Sequence, residues 1–167
     1  MTVASRIAVM DHGRIVQIAT PGEIYEVPAN RYVADFIGDV NMIEGRLEVA
    51  RGKPRLQWAE GQPPLALGGT GGAAAGATVW LALRPEKIGI SKAKPRGRKG
   101  TVTNALQGTV YDIAYVGNLS TYHVRLGNGL TVKAQEANRS RLAGRAITWD
   151  DAVWVHWTTD AEMVLTS

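Results

Sequence analysis

The sequence of 167 residues contains no cysteine. This absence excludes a disulfide scaffold, a thiolate metal site and a cysteine nucleophile, and it is typical of a reducing compartment. Long apolar runs are missing as well, because no stretch approaches the roughly 20 residues that cross a bilayer as a helix. Residues 1–6 lack the apolar core of a signal peptide. We therefore expect a soluble chain, and its 45% hydrophobic and 20% charged residues are ordinary for a globular protein.

Patterns of catalytic and metal-ligating residues are also missing. The three histidines, His12, His123 and His156, fall in one turn and on two separate predicted strands, without the spacing of metal ligands. The glycine-rich segment 68–76 lacks the Gly-Lys-Ser/Thr sequence and the following helix of a phosphate-binding loop, and we interpret it as a loose tether. The residues alone therefore predict no enzyme, with no catalytic, cofactor-binding or metal-binding side chain.

A basic run contributes much of the net charge of +4. Its cations alternate with proline and glycine, and no aromatic side chain lies among them, whereas single-stranded nucleic acid is usually bound by interleaved aromatics. The composition favours a solvated linker over a nucleic-acid site, so we expect no nucleic-acid partner. The cations of this run are Lys92, Lys94, Arg96, Arg98 and Lys99.

A strand–corner–strand pattern occurs twice. Residues 79–83 alternate in hydrophobicity as a half-buried strand does, and residues 84–86 form a corner because their proline cannot donate to a β-ladder. Residues 88–90 then continue as a second strand. Residues 153–157 and 163–165 repeat this pattern near the C-terminus. A repeated unit of this kind predicts a small β-barrel built from two related halves.

The tryptophans follow the same alternation. At strand spacing, such side chains fill a core more often than they form a stacking platform, so we expect core positions. The residues concerned are Trp80, Trp149, Trp154 and Trp157.

The first part of the chain carries hairpin and helix signals instead. Residues 7–10 and 15–18 flank a turn in which Gly13 supplies a positive φ. Thr20 and Glu23 have the spacing of a capping box and predict the start of a short helix.

A second helix is predicted from Asn30 to the residue before Gly38. Beyond it the pattern changes to the two-residue period of strands. We therefore expect a boundary near residue 40, with a segment 1–40 of one hairpin and two short helices and a mainly β domain 41–167. The second helix is expected to bury Tyr32, Val33, Phe36 and Ile37.

Several segments resemble a known family. Residues 5–18, residues 20–25 and the sequence Val33-Ala34-Asp35-Phe36-Ile37-Gly38 resemble the end of the ATPase domain of an ABC transporter. The importers with this signature continue into a C-terminal TOBE (transport-associated, OB-like) domain, marked by Leu83-Arg84-Pro85-Glu86. Residues 114–126 are most similar to the ATPase subunits of polyamine importers, the putrescine type in particular. The family's structural positions in this chain are Leu83, Arg84, Pro85, Glu86, Gly108, Tyr115 and Gly117.

The resemblance implies a mechanical role. In such importers ATP and Mg²⁺ are held by motifs that lie upstream of the region matched, so the chain itself is expected to carry no cofactor and to hydrolyse no ATP. It implies a regulatory OB-like barrel through which two copies form a homodimer and stay joined while the catalytic halves open and close. It also implies permease subunits as partners and a cytoplasmic, peripheral location on the inner face of the membrane.

Other functions stay open for an OB-like fold. A stand-alone module could bind oligonucleotide through Arg96, Arg98 and Lys99, or it could serve only for packing and dimerisation. A ligand sensor could bind a polyamine or an oxyanion, although the spacing of the acidic side chains forms no recognisable cage. Two of them, Asp150 and Asp151, are typical of a solvated turn. The acidic candidates for a polyamine are Asp112, Glu136, Asp150 and Asp151.

Overall fold

The computed structural model describes residues 4–97, 102–138 and 147–167, and it is mainly β, as predicted. A hairpin and two short helices precede two antiparallel sheets. The elements are β1 (Ile7–Asp11), β2 (Arg14–Ala19), α1 (Pro21–Glu26), α2 (Arg31–Ile37), β3 (Asn41–Ala50), β4 (Lys53–Gln57), β5 (Leu65–Ala66), β6 (Thr78–Leu83), a 3₁₀ turn (Pro85–Lys87), β7 (Gly89–Ser91), β8 (Thr103–Val116), β9 (Leu119–Leu126), β10 (Thr131–Ala137), β11 (Ala152–Thr158) and β12 (Glu162–Leu165).

The hairpin and the first helix form as predicted. Strands β1 and β2 pair antiparallel around a turn in which both His12 and Gly13 have positive φ, 45° and 77°. The Thr20 hydroxyl accepts a hydrogen bond from the Glu23 amide at 3.3 Å, and the Glu23 carboxylate accepts one from the Thr20 amide at 2.9 Å. This capping box satisfies two amides at the start of α1. The Thr20 amide, followed by the Thr20 hydroxyl, which donates to the same carboxylate at 2.8 Å, lowers the pKa of Glu23.

Helix α2 differs from its prediction in the face that it buries. Val33 and Ala34 are buried, whereas Tyr32 is 38% exposed and Phe36 is 64% exposed. The two aromatic rings stack on each other with centroids 5.7 Å apart, and the Tyr32 hydroxyl donates to the backbone oxygen of Met10. The expected burial of Tyr32 and Phe36 was therefore wrong, because only a narrow stripe of this seven-residue helix contacts the rest of the molecule.

Two five-stranded antiparallel sheets curl into half-barrels, and the prediction of two related halves is confirmed. The first sheet has the order β12-β6-β3-β4-β5, and the second has the order β7-β11-β8-β9-β10. In each half the chain runs through four strands of one sheet and then crosses to the edge of the other. The last strand of each half is therefore exchanged, and the two repeated corners lie where the chain crosses.

The core lies between the two sheets and is built from equivalent positions of the two halves. Gly45 pairs with Val79 in the first half, as Gly108 pairs with Val153 in the second. A Cβ on Gly45 would approach the backbone oxygen of Gln57 to 2.5 Å, and one on Gly108 would approach the Val124 side chain to 2.6 Å. Glycine is required at both positions because the neighbouring strand leaves no room for a side chain.

A buried asparagine in each half closes the barrel. The Asn41 side chain exchanges two hydrogen bonds with the backbone of Lys133 in β10, at 2.9 and 2.7 Å. The Asn104 side chain does the same with Ala66 in β5, at 2.8 and 2.9 Å. Both asparagines are 6% exposed, so their amide groups satisfy edge-strand backbone that would otherwise lack partners.

The glycine-rich segment 68–76 is packed against the barrel, and its interpretation as a loose tether was wrong. The Gly76 amide donates to the Leu47 oxygen at 2.7 Å, which returns the chain to β3. A Cβ on Gly71 would lie 2.5 Å from the backbone oxygen of Val164. Gly71 therefore allows close contact with β12. The sequence of residues 137–144 also predicts a polar loop or a single helical turn, and this stretch lies largely outside the described residues.

Candidate functional site

The corner after β6 places a buried arginine against the end of helix α2. Arg84 is 1% exposed, and its Nη1 donates to the backbone oxygens of Ala34, Gly38 and Asp39 at 3.0, 2.9 and 3.2 Å. Its guanidinium also lies over the ring of Tyr25, 4.4 Å from the centroid. Carbonyl groups at a helix C-terminus lack partners within the helix and carry partial negative charge, so a cation here satisfies and neutralises them.

Two further pairs join helix α1 to the same corner. The Tyr25 hydroxyl donates to the Glu86 carboxylate, and Lys87 forms an ion pair with Glu26. Burial, followed by the hydrogen bond to Glu86, raises the pKa of Tyr25 to about 12. The phenol therefore stays protonated at neutral pH and remains a hydrogen-bond donor. The Nε–H of Arg84 is buried without an acceptor among the described residues, which costs folding free energy.

Apolar contacts and one exposed ion pair extend this connection. Ala34 of α2 packs with Ala82 of β6 and Leu165 of β12 in a small buried cluster. Asp39 forms an ion pair with Lys133 at 3.0 Å, beside the Asn41 hydrogen bonds. We call the set Tyr25, Ala34, Gly38, Asp39, Arg84 and Glu86 the Arg84 junction.

The structure brings four of the family positions together and separates the other three. Leu83, Arg84, Pro85 and Glu86 lie at the Arg84 junction, with Leu83 in the main core. The remaining three lie along β8 and the turn after it. There Gly108 fits against β9, Tyr115 contacts Trp149 edge-on at 6.2 Å, and Gly117 has φ 58° in the β8–β9 turn.

Only one of the four tryptophans named above fills the core. Trp157 is 2% exposed, and its indole N–H donates to Glu162 at 3.0 Å. Trp80 and Trp154 occupy equivalent outward positions on β6 and β11, and a cation covers each ring, Arg31 on the first and Lys94 on the second. Trp149 is 47% exposed. The expectation of core positions was therefore wrong for Trp149 and Trp154, whereas Trp80 is partly buried and packs against the small cluster of Ala34, Ala82 and Leu165.

The acidic candidates for a polyamine do not build a cation site. Asp112 lies on β8 and Glu136 on β10, and Asp150 and Asp151 precede β11. Asp151 is already ion-paired with Lys92 at 2.9 Å, and the Thr148 amide followed by Lys92 lowers its pKa. Within the described ranges, no group of three or more acidic or histidine side chains is arranged to hold a metal ion.

The histidines have separate local contacts. His12 pairs with Asp11 at 2.7 Å, and His123 lies edge-on to the ring of Tyr111 at 5.9 Å. His156 fits against Gly89, where a Cβ would lie 2.4 Å from the imidazole ring, and burial lowers the His156 pKa.

Some cations of the basic run contact other residues, and others are exposed to solvent. Lys94 lies 5.0 Å from the Trp154 ring centroid, and Arg96 is exposed. Arg98 and Lys99 lie outside the described residues, so the proposed oligonucleotide contacts are not assembled by the part of the chain that is described.

Glu162 is a site residue that the sequence analysis missed. It opens β12 and accepts hydrogen bonds from the Gly68 amide at 2.8 Å and from Trp157 Nε1 at 3.0 Å. Burial raises its pKa to about 7. The two buried asparagines were also missed as a pair, although a repeat could have revealed them. Asn-x-aliphatic-Glu/Gln-Gly occurs at residues 41–45 and again at 104–108.

Comparison with known proteins identifies the barrel. A family model described as "TOBE domain" matches residues 81–165, more than half of the chain. The chain belongs to the TOBE domain family. The cytoplasmic molybdate-binding protein ModG, in a molybdate-bound crystal structure, shares the fold with a TM-score of 0.59 at 14% identity. The match covers 76% of this chain and 96% of ModG.

Similarity to curated proteins extends beyond the TOBE domain to nearly the whole chain. The chain is 41% identical over 167 residues to the putrescine transport ATP-binding protein PotG of Escherichia coli strain K12, and the match covers 43% of that protein. It is 36% identical over 166 residues to the spermidine/putrescine import ATP-binding protein PotA of Protochlamydia amoebophila strain UWE25, covering 44%. The chain thus spans less than half the length of these relatives, and the match lies in their C-terminal part. No helix among the described residues is long and apolar enough to span a membrane.

Proposed function

We propose that this chain is the C-terminal part of the ATP-binding subunit of an ABC importer for polyamines such as putrescine or spermidine. The TOBE barrel is its regulatory and dimerising domain. The similarity to PotG and PotA over 99% of the chain supports the importer and its substrate class. ATP and Mg²⁺ would be held by the part of such a subunit that precedes the matched region, so the chain is not itself the catalyst. Its partners would be a second copy and permease subunits, at the cytoplasmic face of the membrane.

The observation that carries the mechanical part of this proposal is the Arg84 junction. We place the domain boundary near residue 40, so that residues 4–40 form an N-terminal unit with its own small core of Val9, Ile24 and Val33. Arg84 of the barrel is buried against the last carbonyls of this unit. A buried, multiply hydrogen-bonded cation resists separation, because opening the contact would break these hydrogen bonds together and expose the apolar contact of Ala34 with Ala82 and Leu165 to water. Movement of the unit is therefore transmitted to the barrel.

A chimeric transporter tests this function. In Escherichia coli lacking PotG, the matched C-terminal part of PotG would be replaced by residues 1–167, and uptake of labelled putrescine would be measured beside intact PotG. We expect the chimera to restore uptake. The chimera with Arg84→Ala should lose most uptake, and the chimera with Glu48→Gln, an exposed change on β3, should not.

Protein abundance must be measured in parallel. A chimera that accumulates to the level of PotG and hydrolyses ATP, but imports no putrescine, would contradict the importer assignment. Equal uptake by the Arg84→Ala chimera would leave that assignment standing and remove the role of the junction.

A further inference from the structure

A cleft of about 540 Å³ lies on the outer face of the second sheet, beside the turn between β11 and β12. Its size falls within the range of small-molecule sites in proteins, roughly 300–1,000 Å³. We call it the His156 cleft. Its polar lining comes from the 3₁₀ turn, the segment after β7, the paired strands β8 and β11, and the β11–β12 turn. The side chains concerned are Lys87, Arg96, Thr103, His156, Thr158 and Asp160.

The imidazole of His156 is positioned in the cleft by packing. It lies against Gly89, where a Cβ would overlap the ring, so only glycine leaves room for the imidazole at this place. Among the described residues, no group forms a hydrogen bond or an ion pair with the ring. Burial lowers the His156 pKa, so the ring is neutral at neutral pH. It therefore offers one N–H donor to a ligand.

Two cations line the cleft, and both are available to an anion. Arg96 is exposed and takes part in none of the ion pairs of the described residues. Lys87 pairs with Glu26 of α1, but 30% of the lysine side chain and 54% of the glutamate side chain are exposed. An exposed pair contributes little, so Lys87 can turn towards an anion in the cleft. Guanidinium and ammonium groups form strong, charge-assisted hydrogen bonds with phosphate oxygens.

One carboxylate, that of Asp160, lines the cleft beside these cations. The Thr158 hydroxyl, followed by the amide of Asp160 itself, lowers the Asp160 pKa, and the charge of Lys87 adds a smaller contribution. Asp160 is therefore ionised at neutral pH. An ionised carboxylate repels an anion without a proton, such as sulfate, but accepts a hydrogen bond from an anion that keeps one. Inorganic phosphate keeps a proton at neutral pH, whereas a phosphate monoester, with a second pKa of about 6, has largely lost it.

We propose that the His156 cleft binds inorganic phosphate. Lys87 and Arg96 neutralise its charge, the His156 N–H and the Thr103 hydroxyl donate to its oxygens, and its P–OH group donates to Asp160. With two cations, one carboxylate and a neutral imidazole, the cleft carries a net charge of +1, which favours an anion.

Phosphate in the cleft would compete with Glu26 for Lys87. The Lys87–Glu26 pair joins α1 to the corner that carries Arg84, so a ligand that draws Lys87 into the cleft weakens one link between the N-terminal unit and the barrel. The two equilibria are reciprocal, and loss of the Glu26 carboxylate must therefore tighten phosphate binding. The cleft thus makes the docking of α1 responsive to the phosphate concentration.

The experiment is a titration of the 167-residue chain with inorganic phosphate at constant ionic strength. The imidazole resonances of His156, assigned with His156→Gln, would be followed by NMR. His123, on the same sheet but outside the cleft, is the matched internal control. Sulfate and glycerol 3-phosphate would be titrated in the same way, to compare an anion without a proton and a monoester. Arg96→Gln removes a cation of the cleft, and Arg55→Gln removes an equal, exposed charge from β4.

We expect phosphate at millimolar concentrations to shift the His156 signals and to leave those of His123 unchanged. Sulfate and glycerol 3-phosphate should each bind about threefold more weakly, or less tightly still, because neither brings a proton to Asp160. Arg96→Gln should weaken phosphate binding by about threefold or more, and Arg55→Gln should leave it unchanged.

Two further variants test the selectivity and the coupling. Asp160→Asn should abolish the preference for phosphate over sulfate, because the amide no longer repels sulfate. Glu26→Gln should tighten phosphate binding by about twofold, whereas Glu48→Gln, an equal change on β3 outside the cleft, should not. Circular dichroism of each variant would show that it is folded.

Three results would overturn the inference. One is an unshifted His156 signal at about 20 mM phosphate, where even millimolar affinity would be visible. Another is equal weakening by Arg55→Gln, which would indicate general attraction of anions to a basic chain. The third is sulfate binding as tight as phosphate binding in the wild type, which would show that the cleft does not recognise the phosphate proton.

Discussion

The two halves of the barrel share strand order and pairing but differ in what their outer faces do. On the first sheet, Ala82 lies between Met42 and Met163, and this apolar surface packs with helix α2. At the equivalent place on the second sheet, His156 lies between an alanine and a glycine. The first of these faces packs against helix α2, and the second presents an imidazole in place of that apolar surface. Two halves of one topology have thus acquired different roles through a few outward side chains, while their inward positions stayed alike.

The two corners also differ in what their charged side chains contact. The first carries Arg84, whose positive charge reaches out of the barrel to the carbonyls of α2. The second leads to Glu162, whose carboxyl group turns back onto the barrel and holds Gly68 and Trp157. The first corner joins two units, and the second stabilises one.

The largest expected effect on stability comes from a substitution at the first corner. Arg84→Ala leaves the buried carbonyls at the end of α2 without a donor, so we expect a loss of about 3 kcal/mol or more in the free energy of unfolding. Urea denaturation followed by circular dichroism measures it. Arg84→Lys keeps the charge but cannot reach several carbonyls at once, and it should restore only part of the loss. A loss below about 1 kcal/mol for the alanine variant would remove the special role of this corner.

The buried asparagines test whether the halves are equivalent. Asn41→Ala and Asn104→Ala each remove two hydrogen bonds to an edge strand, and each should cost about 2 kcal/mol, because the backbone groups are left without partners. The same denaturation experiment compares them. Costs that differ by more than about twofold would show that the halves are equivalent in geometry but not in energy.

The smallest expected effect is a pH dependence of stability that Glu162 causes at the second corner. The pKa of Glu162 is raised to about 7 in the folded state, above its ordinary value, so the folded state binds the proton more tightly than the unfolded chain does. The free energy of unfolding should therefore fall by roughly 1 kcal/mol, after allowance for partial exposure, as pH rises from about 4.5 to about 7. Above that pH it should stay constant.

Glu162→Gln should remove this pH dependence and leave the protein more stable than the wild type at pH 8. Thermal unfolding at several pH values measures both, with Glu48→Gln as a control for an exposed carboxylate. An unchanged pH profile in the Glu162→Gln protein would show that the group does not titrate in this range.

Local patterns predicted much of this molecule. The capping box, the hairpin and the proline corner were visible in the sequence, because each depends on residues within a few positions of one another. The repeat of Val-Trp-aliphatic at residues 79 and 153 was enough to predict two related halves. The family resemblance indicated that the corner at Arg84 is important, but it did not indicate which residues Arg84 contacts.

The missed features depend on contacts between distant segments. Asn41 meets β10 because the two sheets close into one barrel, and no local pattern encodes a contact between positions 92 residues apart. The glycine-rich segment looked flexible because the β12 surface that it fits against lies far along the chain. The aromatic side chains of α2 suggested a buried face, but the available surface was taken by Val33 and Ala34.

Native-state hydrogen exchange is the most direct test of the central claim that Arg84 joins the N-terminal unit to the barrel. In the wild type, the amides of α2 should be protected to an extent that approaches that of the barrel strands, because the two open together. In Arg84→Ala, the amides of α2 should exchange much faster while β8 and β9 keep most of their protection. Unchanged protection of α2 in that variant would contradict the claim.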